Sequence, residues 1–161
     1  MRVHQVFVVA TAFCLLSGAS PPNLVQSPEH VVIDYLAAWN MHDAPRAAGH
    51  LAYDVAYFEP SDGQTVSGRD ATRTAMLARF LNTAPDAIWM LRGDNLVDGD
   101  KVAVEWEFTG TNTGMLPNGS PPTGKHMVLQ GMSVFRVLDG MIVYQADYFD
   151  PAQALKTFET M

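Results

Sequence analysis

The chain has 161 residues, 48% of them hydrophobic, with 17 acidic against 10 basic side chains and a net charge of −7. That length suits one domain plus a short extra segment, and the apolar content is enough for a packed core, which excludes a disordered chain. An isoelectric point of about 5.0 leaves no basic patch to neutralise phosphates, so nucleic acid is excluded as a partner.

Met1-Arg2-Val3-His4-Gln5 is a short, weakly positive start, and Val6 to Leu16 is an almost unbroken apolar run. The run is too short to span a bilayer as a mature helix. Ser17-Gly18-Ala19 follows, with small residues where a signal peptidase reads. Residues 1–19 are therefore expected to be a cleaved secretory signal, an uncleaved amino-terminal anchor being the other reading. The expectation is an exported protein, periplasmic or secreted, with no stable membrane anchor after signal removal. Cys14 is the only cysteine and would leave with the signal, so no thiol or disulfide chemistry is expected of the mature chain. Residues 20–27 read as a linker and 28–161 as one domain.

Ser27-Pro28-Glu29 opens a helix with a capping serine, proline in the first turn and an acid at the positive dipole end. Val31, Val32, Tyr35, Leu36 and Trp39 recur at helical spacing. Asp43-Ala44-Pro45 caps a second, short helix to about Leu51. Ala52 to Phe58 reads as a strand ended by Pro60-Ser61-Asp62-Gly63, and a third helix runs from about Arg69 to Leu81. Sheet follows: Ile88 to Val97, a turn at Asp98-Gly99-Asp100, and Lys101 to Thr111, where Val102, Val104, Trp106 and Phe108 alternate with polar residues. After a Pro/Gly/Asn-rich loop, Lys125 to Leu138 is a long strand, Asp139-Gly140 a two-residue hairpin turn, and Met141 to Phe149 the return strand. Pro151 to Phe158 makes a terminal helical turn. Helices before a meander give an α+β class, with helices on one face of a curved, mostly antiparallel sheet.

Asp147 stands out, because it sits inside the apolar and aromatic run Val143 to Phe149. A carboxylate buried there without a partner is costly, and a lone acid in an apolar cavity has the raised pKa that a proton-shuttling base needs. If Leu138 and Met141 flank the turn, Asp147 falls opposite Met132, Gln145 opposite Val134 and Phe149 opposite Gln130. Alternation then predicts one face shared by His126, Gln130, Met132, Gln145, Asp147 and Phe149. Both faces are largely apolar, which fits helices on one side and a second subunit, as a homodimer or homotetramer, on the other.

Several pieces in this order resemble the SnoaL-like polyketide cyclases, also called ester cyclases, of the nuclear-transport-factor-2-like (NTF2-like) superfamily. They are Tyr35-Leu36-Ala37-Ala38-Trp39-Asn40, Gly68-Arg69-Asp70, Pro85-Asp86, Thr109-Gly110-Thr111-Asn112-Thr113-Gly114, Pro121-Pro122-Thr123-Gly124-Lys125, Val134-Phe135-Arg136-Val137, Asp139-Gly140, and Asp147 with Asp150. The resemblance spans nearly all of the mature chain. It implies an NTF2-like cone, a curved sheet wrapped around three helices with one open pocket. In such cyclases an aspartate on the last strand is the acid/base of an intramolecular aldol closure, and Asp147 matches it. A glutamine on the preceding strand matches Gln130, while Met132 stands where many relatives have histidine. Gln145-Ala146 and Asn112-Thr113-Gly114 stand where many have His-Trp and His-Thr-Gly.

The resemblance thus implies a cofactor-free enzyme, without a metal, acting on a small apolar carbonyl compound. Asp147 would be the acid/base, with Gln130 and Gln145 orienting the substrate as neutral donors do in oxyanion sites. Met132, Trp39, Trp106, Phe149 and Asn112 complete the expected substrate site. Each has a plainer reading: Trp39 and Trp106 as core aromatics, the two glutamines as a pair within the sheet, Asp147 as a structural carboxylate. The rival function is an exported binding or accessory module that uses the same pocket without catalysis.

Overall fold

The computed structural model describes residues 26–59, 63–116, 119–150 and residue 152. The expected signal segment, most of the linker and nearly all of the terminal turn lie outside these residues.

Helix α1, Pro28–Asn40, starts where Ser27 Oγ accepts from the His30 amide at 3.3 Å. Its stripe of Val31, Val32, Tyr35, Leu36 and Trp39 is buried. Helix α2, Ala44–Gly49, is capped by Asp43, which accepts from the Arg46 amide. The third helix is broken into three pieces. They are α3, Arg69–Thr72, a π-helical segment, Arg73–Ala78, and α4, Arg79–Thr83. The six strands are β1, Leu51–Glu59; β2, Gln64–Ser67; β3, Ile88–Asp98; β4, Lys101–Thr111; β5, His126–Leu138; and β6, Met141–Phe149. They form one sheet in the order β2-β1-β6-β5-β4-β3. All neighbours are antiparallel except β1 and β6, which run parallel. This is the expected α+β, NTF2-like arrangement of a curved sheet around helices. The short strand β2 was not expected, because its four residues carry no buried alternation.

The β5–β6 hairpin positions the site. Its turn forms as expected, with Asp139 and Gly140 both at positive φ, 50° and 74°. Leu138 pairs with Met141 and Val137 with Ile142. The ladder then slips: Arg136 pairs with Tyr144, leaving Val143 as an extra residue in β6. This bulge reverses the expected parity. Asp147 lies opposite Ser133, not Met132; Gln145 opposite Phe135, not Val134; and Phe149 opposite Gly131, not Gln130. A one-residue shift sends every side chain of the partner strand to the other face. His126, Gln130 and Met132 therefore lie on the outer face, while Asp147 and Gln145 point into the core. Ile142, before the bulge, is buried on the core side with Ser133, Phe135 and Val137 as the regular ladder expects, whereas Tyr144 and Tyr148, which that ladder would put on the same face, pair with Arg136 and Met132 on the other.

Candidate active site

Asp147 is only 3% exposed, and its neighbours Gln145 and Ser133 are fully buried. Two hydrogen-bonded chains converge on it. In the first, Trp106 Nε1–H donates to Ser133 Oγ at 2.8 Å, and Ser133 Oγ–H donates to Asp147 Oδ1 at 2.6 Å. An indole can only donate, so the serine must accept from it and pass its own proton toward the carboxylate. In the second, Tyr35 Oη–H donates to Gln145 Oε1 at 2.8 Å, and Gln145 Nε2–H₂ donates to Asp147 Oδ1 and Oδ2 at 3.0 and 3.1 Å. Tyr35 thereby holds the amide with its nitrogen toward the acid. Burial penalises the carboxylate charge, and each charge-assisted bond offsets that by about 1.5–3 kcal/mol.

Packing sets both chains. Tyr35 is held edge-on against Phe135, ring centres 6.0 Å apart. Its hydroxyl pKa is pushed above the ordinary value, first by burial. The charge of Asp147 raises it further, while the nearby Trp39 indole and Gln145 pull it back. Trp106 lies over Gly131, where a Cβ would stand 2.5 Å from the indole ring and 2.5 Å from the Tyr148 carbonyl oxygen. A glycine is what lets the indole lie flat enough to reach Ser133.

Asp147 looks into a small cavity. Trp106 and Phe149 line it, together with Phe80, Trp89, Phe108 and Leu129. The room inside is about 10 Å³, which admits the centre of roughly one water molecule. Aromatic rings form its wall in edge-to-face contact, Trp89 with Trp106 at 4.8 Å, Trp89 with Phe108 at 5.9 Å and Phe80 with Phe108 at 6.0 Å.

The other expected site residues lie elsewhere. Gln130 Nε2–H₂ donates to Glu107 on the outer face at 3.1 Å, beside the Arg92–Glu107 ion pair of 2.6 Å. Met132 lines a shallow depression on that face with Arg92, Glu105 and Gln130. Both are separated from Asp147 by the thickness of the sheet. Asn112 is buried but structural: its amide donates to the Thr83 and Gly114 carbonyls and accepts from the amide and hydroxyl of Thr123. These bonds close the loop that precedes β5. Trp39 packs behind the cavity wall, against Trp89 and Phe80. Asp150, just after β6, accepts from the Ala152 amide at 2.9 Å. Ser133 is the partner that the sequence reading missed. Its signal was a lone hydroxyl within the apolar run of β5, a group that burial obliges to find a partner. Among the described residues no three His, Cys, Asp or Glu side chains gather as a cation site.

A carboxylate surrounded by donors at the end of an apolar aromatic hollow is an arrangement seen across many reactions, and comparison narrows it. Residues 32–145 match the SnoaL-like domain family. The chain belongs to that family. Among curated proteins none matches it closely enough to count as a relative. Solved structures share its fold. A candidate SnoaL-like polyketide cyclase from Jannaschia sp. CCS1 superposes with a TM-score of 0.74 at 18% identity, covering 83% of this chain and 92% of that one. IdmH from Streptomyces antibioticus, a candidate polyketide cyclase, gives 0.72 at 22% identity over 84% and 100% of the two chains. AclR from Streptomyces galilaeus, a candidate hydroxylase, gives 0.71 at 22% identity over 83% and 96%. At such identities the SnoaL-like domain shares a shape with these proteins, and its chemistry must be argued from its own residues.

Proposed function

We propose that this SnoaL-like domain is a cofactor-free enzyme of the cyclase or isomerase kind that uses Asp147 as acid and base on a small apolar carbonyl compound. The observation that carries this is a buried carboxylate facing an aromatic cavity, with every hydrogen bond named above donated to it. Asp147 is therefore not the lone acid that its apolar run suggests; donors aligned this way favour the ionised form, which is the form that accepts a proton. The carboxylate takes a proton from the carbon beside the carbonyl, leaving an enolate. The enolate attacks a second carbonyl within the same molecule, and Asp147 returns its proton to the new alkoxide. In an isomerisation the proton returns to another carbon instead. Aromatic walls exclude water, and with about 10 Å³ of room inside a planar, apolar substrate enters as these side chains turn aside to admit it.

Deuterium exchange tests the reading without knowledge of the natural substrate. In D₂O the protein should speed α-proton exchange of acetone, cyclohexanone or acetophenone, followed by proton NMR. Asp147→Asn should lower that rate by about 10²–10⁴-fold while a cooperative melt remains. An Asp147→Asn protein that exchanges at the wild-type rate would refute the assignment.

The placement of Gln130 and Met132 on the outer face leaves few polar groups beside Asp147, which favours a second reading, a binding module that takes up an apolar ligand without chemistry. That reading expects stoichiometric uptake, no exchange, and indifference to Asp147→Asn. On either reading the domain acts after export, as residues 1–19 suggest, so the mass of the mature protein should correspond to cleavage near Ala19. Exposed Leu96, Val128 and Tyr148 on the outer sheet face support pairing with a second copy there, which light scattering measures.

A further inference from the structure

One side chain that lines the cavity carries a buried hydrogen-bond donor with no partner among the described residues. Phe80, Phe108, Leu129 and Phe149 offer only carbon to a ligand, and the Trp106 N–H is committed to Ser133. Trp89 also lines the cavity. It is 7% exposed, and its indole N–H is buried with no acceptor among the described residues. A buried donor left unpaired costs about 1–3 kcal/mol and is rare in folded proteins. Trp39 has a buried N–H too, outside hydrogen-bonding geometry, but it does not line the cavity.

Trp89 is also held in place more firmly than a wall residue needs. Its backbone amide donates to Asn40 Oδ1 at 2.7 Å, and its carbonyl accepts from Asn40 Nδ2 at 2.8 Å. One asparagine at the end of α1 thus pins both polar groups of the residue, in the manner of a missing strand neighbour. His42 Nε2–H donates to the Ala87 carbonyl two residues earlier, at 2.8 Å. The ring is wedged between Trp39 at 5.4 Å and Trp106 at 4.8 Å. A donor fixed before the ligand arrives is what stabilises developing negative charge, because nothing must reorganise when the charge forms.

We infer that the Trp89 indole N–H is the catalytic donor that receives the ligand's carbonyl oxygen across the cavity from Asp147. The ligand is therefore an enolisable ketone or ester, its α-carbon toward Asp147 and its oxygen on Trp89. An indole donates and cannot accept, so the cavity discriminates against alcohols and amines that must donate at that point. This rests on the assignment of Asp147 as the base, and it supplies the donor that Gln130, on the other face, cannot be.

Two ligands of one shape separate the outcomes. Acetophenone carries a carbonyl where α-methylstyrene carries a methylene group. In ¹H–¹⁵N spectra of the full chain, acetophenone should move the Trp89 indole proton downfield and α-methylstyrene should not. The Trp89 signal is identified by its loss in Trp89→Phe. That variant keeps a ring but no donor, so it should lose the preference for acetophenone and slow α-proton exchange by about 10²-fold, mostly in kcat. An indole signal that ignores acetophenone, or a Trp89→Phe protein that exchanges at the wild-type rate, overturns the inference. If Trp89→Phe does not fold, through-bond triple-resonance assignment identifies the Trp89 indole in the wild-type protein, and the wild-type spectra decide. Should Trp89 respond to acetophenone while Asp147→Asn exchanges normally, the carbonyl site stands and the role of Asp147 as base falls.

Discussion

Two polar networks lie on opposite faces of the same sheet. On the inner face Trp106, Ser133, Asp147, Gln145 and Tyr35 form a directed, buried chain in which every named bond points toward one carboxylate. On the outer face Arg92, Glu107 and Gln130 form an ion pair with an added amide contact. Both join a carboxylate to an amide on a neighbouring or the same strand. Only burial and register separate them. Water competes with the outer bonds and screens the charge, so that network adds little to stability. The inner bonds have no such competitor, so each member constrains the next. The contrast shows that carboxylate and amide neighbours do not identify a site until the sheet face is known.

The comparison is broken most severely at Gly131. Gly131→Ala would drive a methyl group into the Trp106 ring and against the Tyr148 carbonyl. Overpacking of this kind costs about 1–3 kcal/mol, or roughly 2–12 °C in Tm for a chain of this size. It also pushes the indole off Ser133, so α-proton exchange should fall with stability. Exchange at the wild-type rate would show that the Trp106–Ser133 chain does not orient Asp147.

Tyr35→Phe tests the second chain with a smaller change. The ring and its contact with Phe135 remain, but buried Gln145 Oε1 loses its donor, a cost of about 1–3 kcal/mol. The freed amide can turn its oxygen toward Asp147, so kcat should drop while KM stays near the wild-type value. Thermal melts and exchange kinetics read the two effects separately.

The smallest effects belong to the outer face. The Glu107 carboxyl is held below its ordinary pKa, first by the Gln130 hydrogen bond and then by Arg92. Asp100 is lowered by Arg136, and Asp86 by the Thr111 hydroxyl and amide. For a carboxyl lowered in the folded state, the stabilising contribution is present above the ordinary carboxylate pKa. It is lost as pH falls through the lower folded value. Melting temperature should therefore decline below about pH 4, and Glu107→Gln should remove a small part of that decline. At neutral pH the same variant should change Tm by no more than roughly 2 °C and leave exchange untouched. A large loss of exchange would mean that the outer face belongs to the site after all.

How legible was this protein in its sequence? Local signals were read well where one residue type dictates one geometry. Ser27-Pro28-Glu29 starts α1, Asp139-Gly140 turns the last hairpin, and the alternation in Lys101–Thr111 marks a strand with Trp106 and Phe108 inward. Asp147 as a buried acid beside a cavity was legible too, because a charge inside an aromatic run is costly unless the fold supplies it with donors. Gln130 and Met132 were misplaced for one reason, the extra residue at Val143. Nothing in Ile142-Val143-Tyr144 announces a bulge, since three apolar residues suit a regular ladder equally well.

By itself, then, the chain determined most of its elements and the acid set within an apolar run, since these follow from periodicity, turn chemistry and burial of apolar side chains, while its motifs carried the resemblance to its family. Only the tertiary structure decided which residues meet Asp147. That outcome depends on the parity of two strands after a bulge, on a glycine that admits a tryptophan, and on an asparagine that pins Trp89 to the end of a helix. Each is a contact between residues distant in the chain, selected by how volumes fill the space between helix and sheet, and no local pattern encodes it.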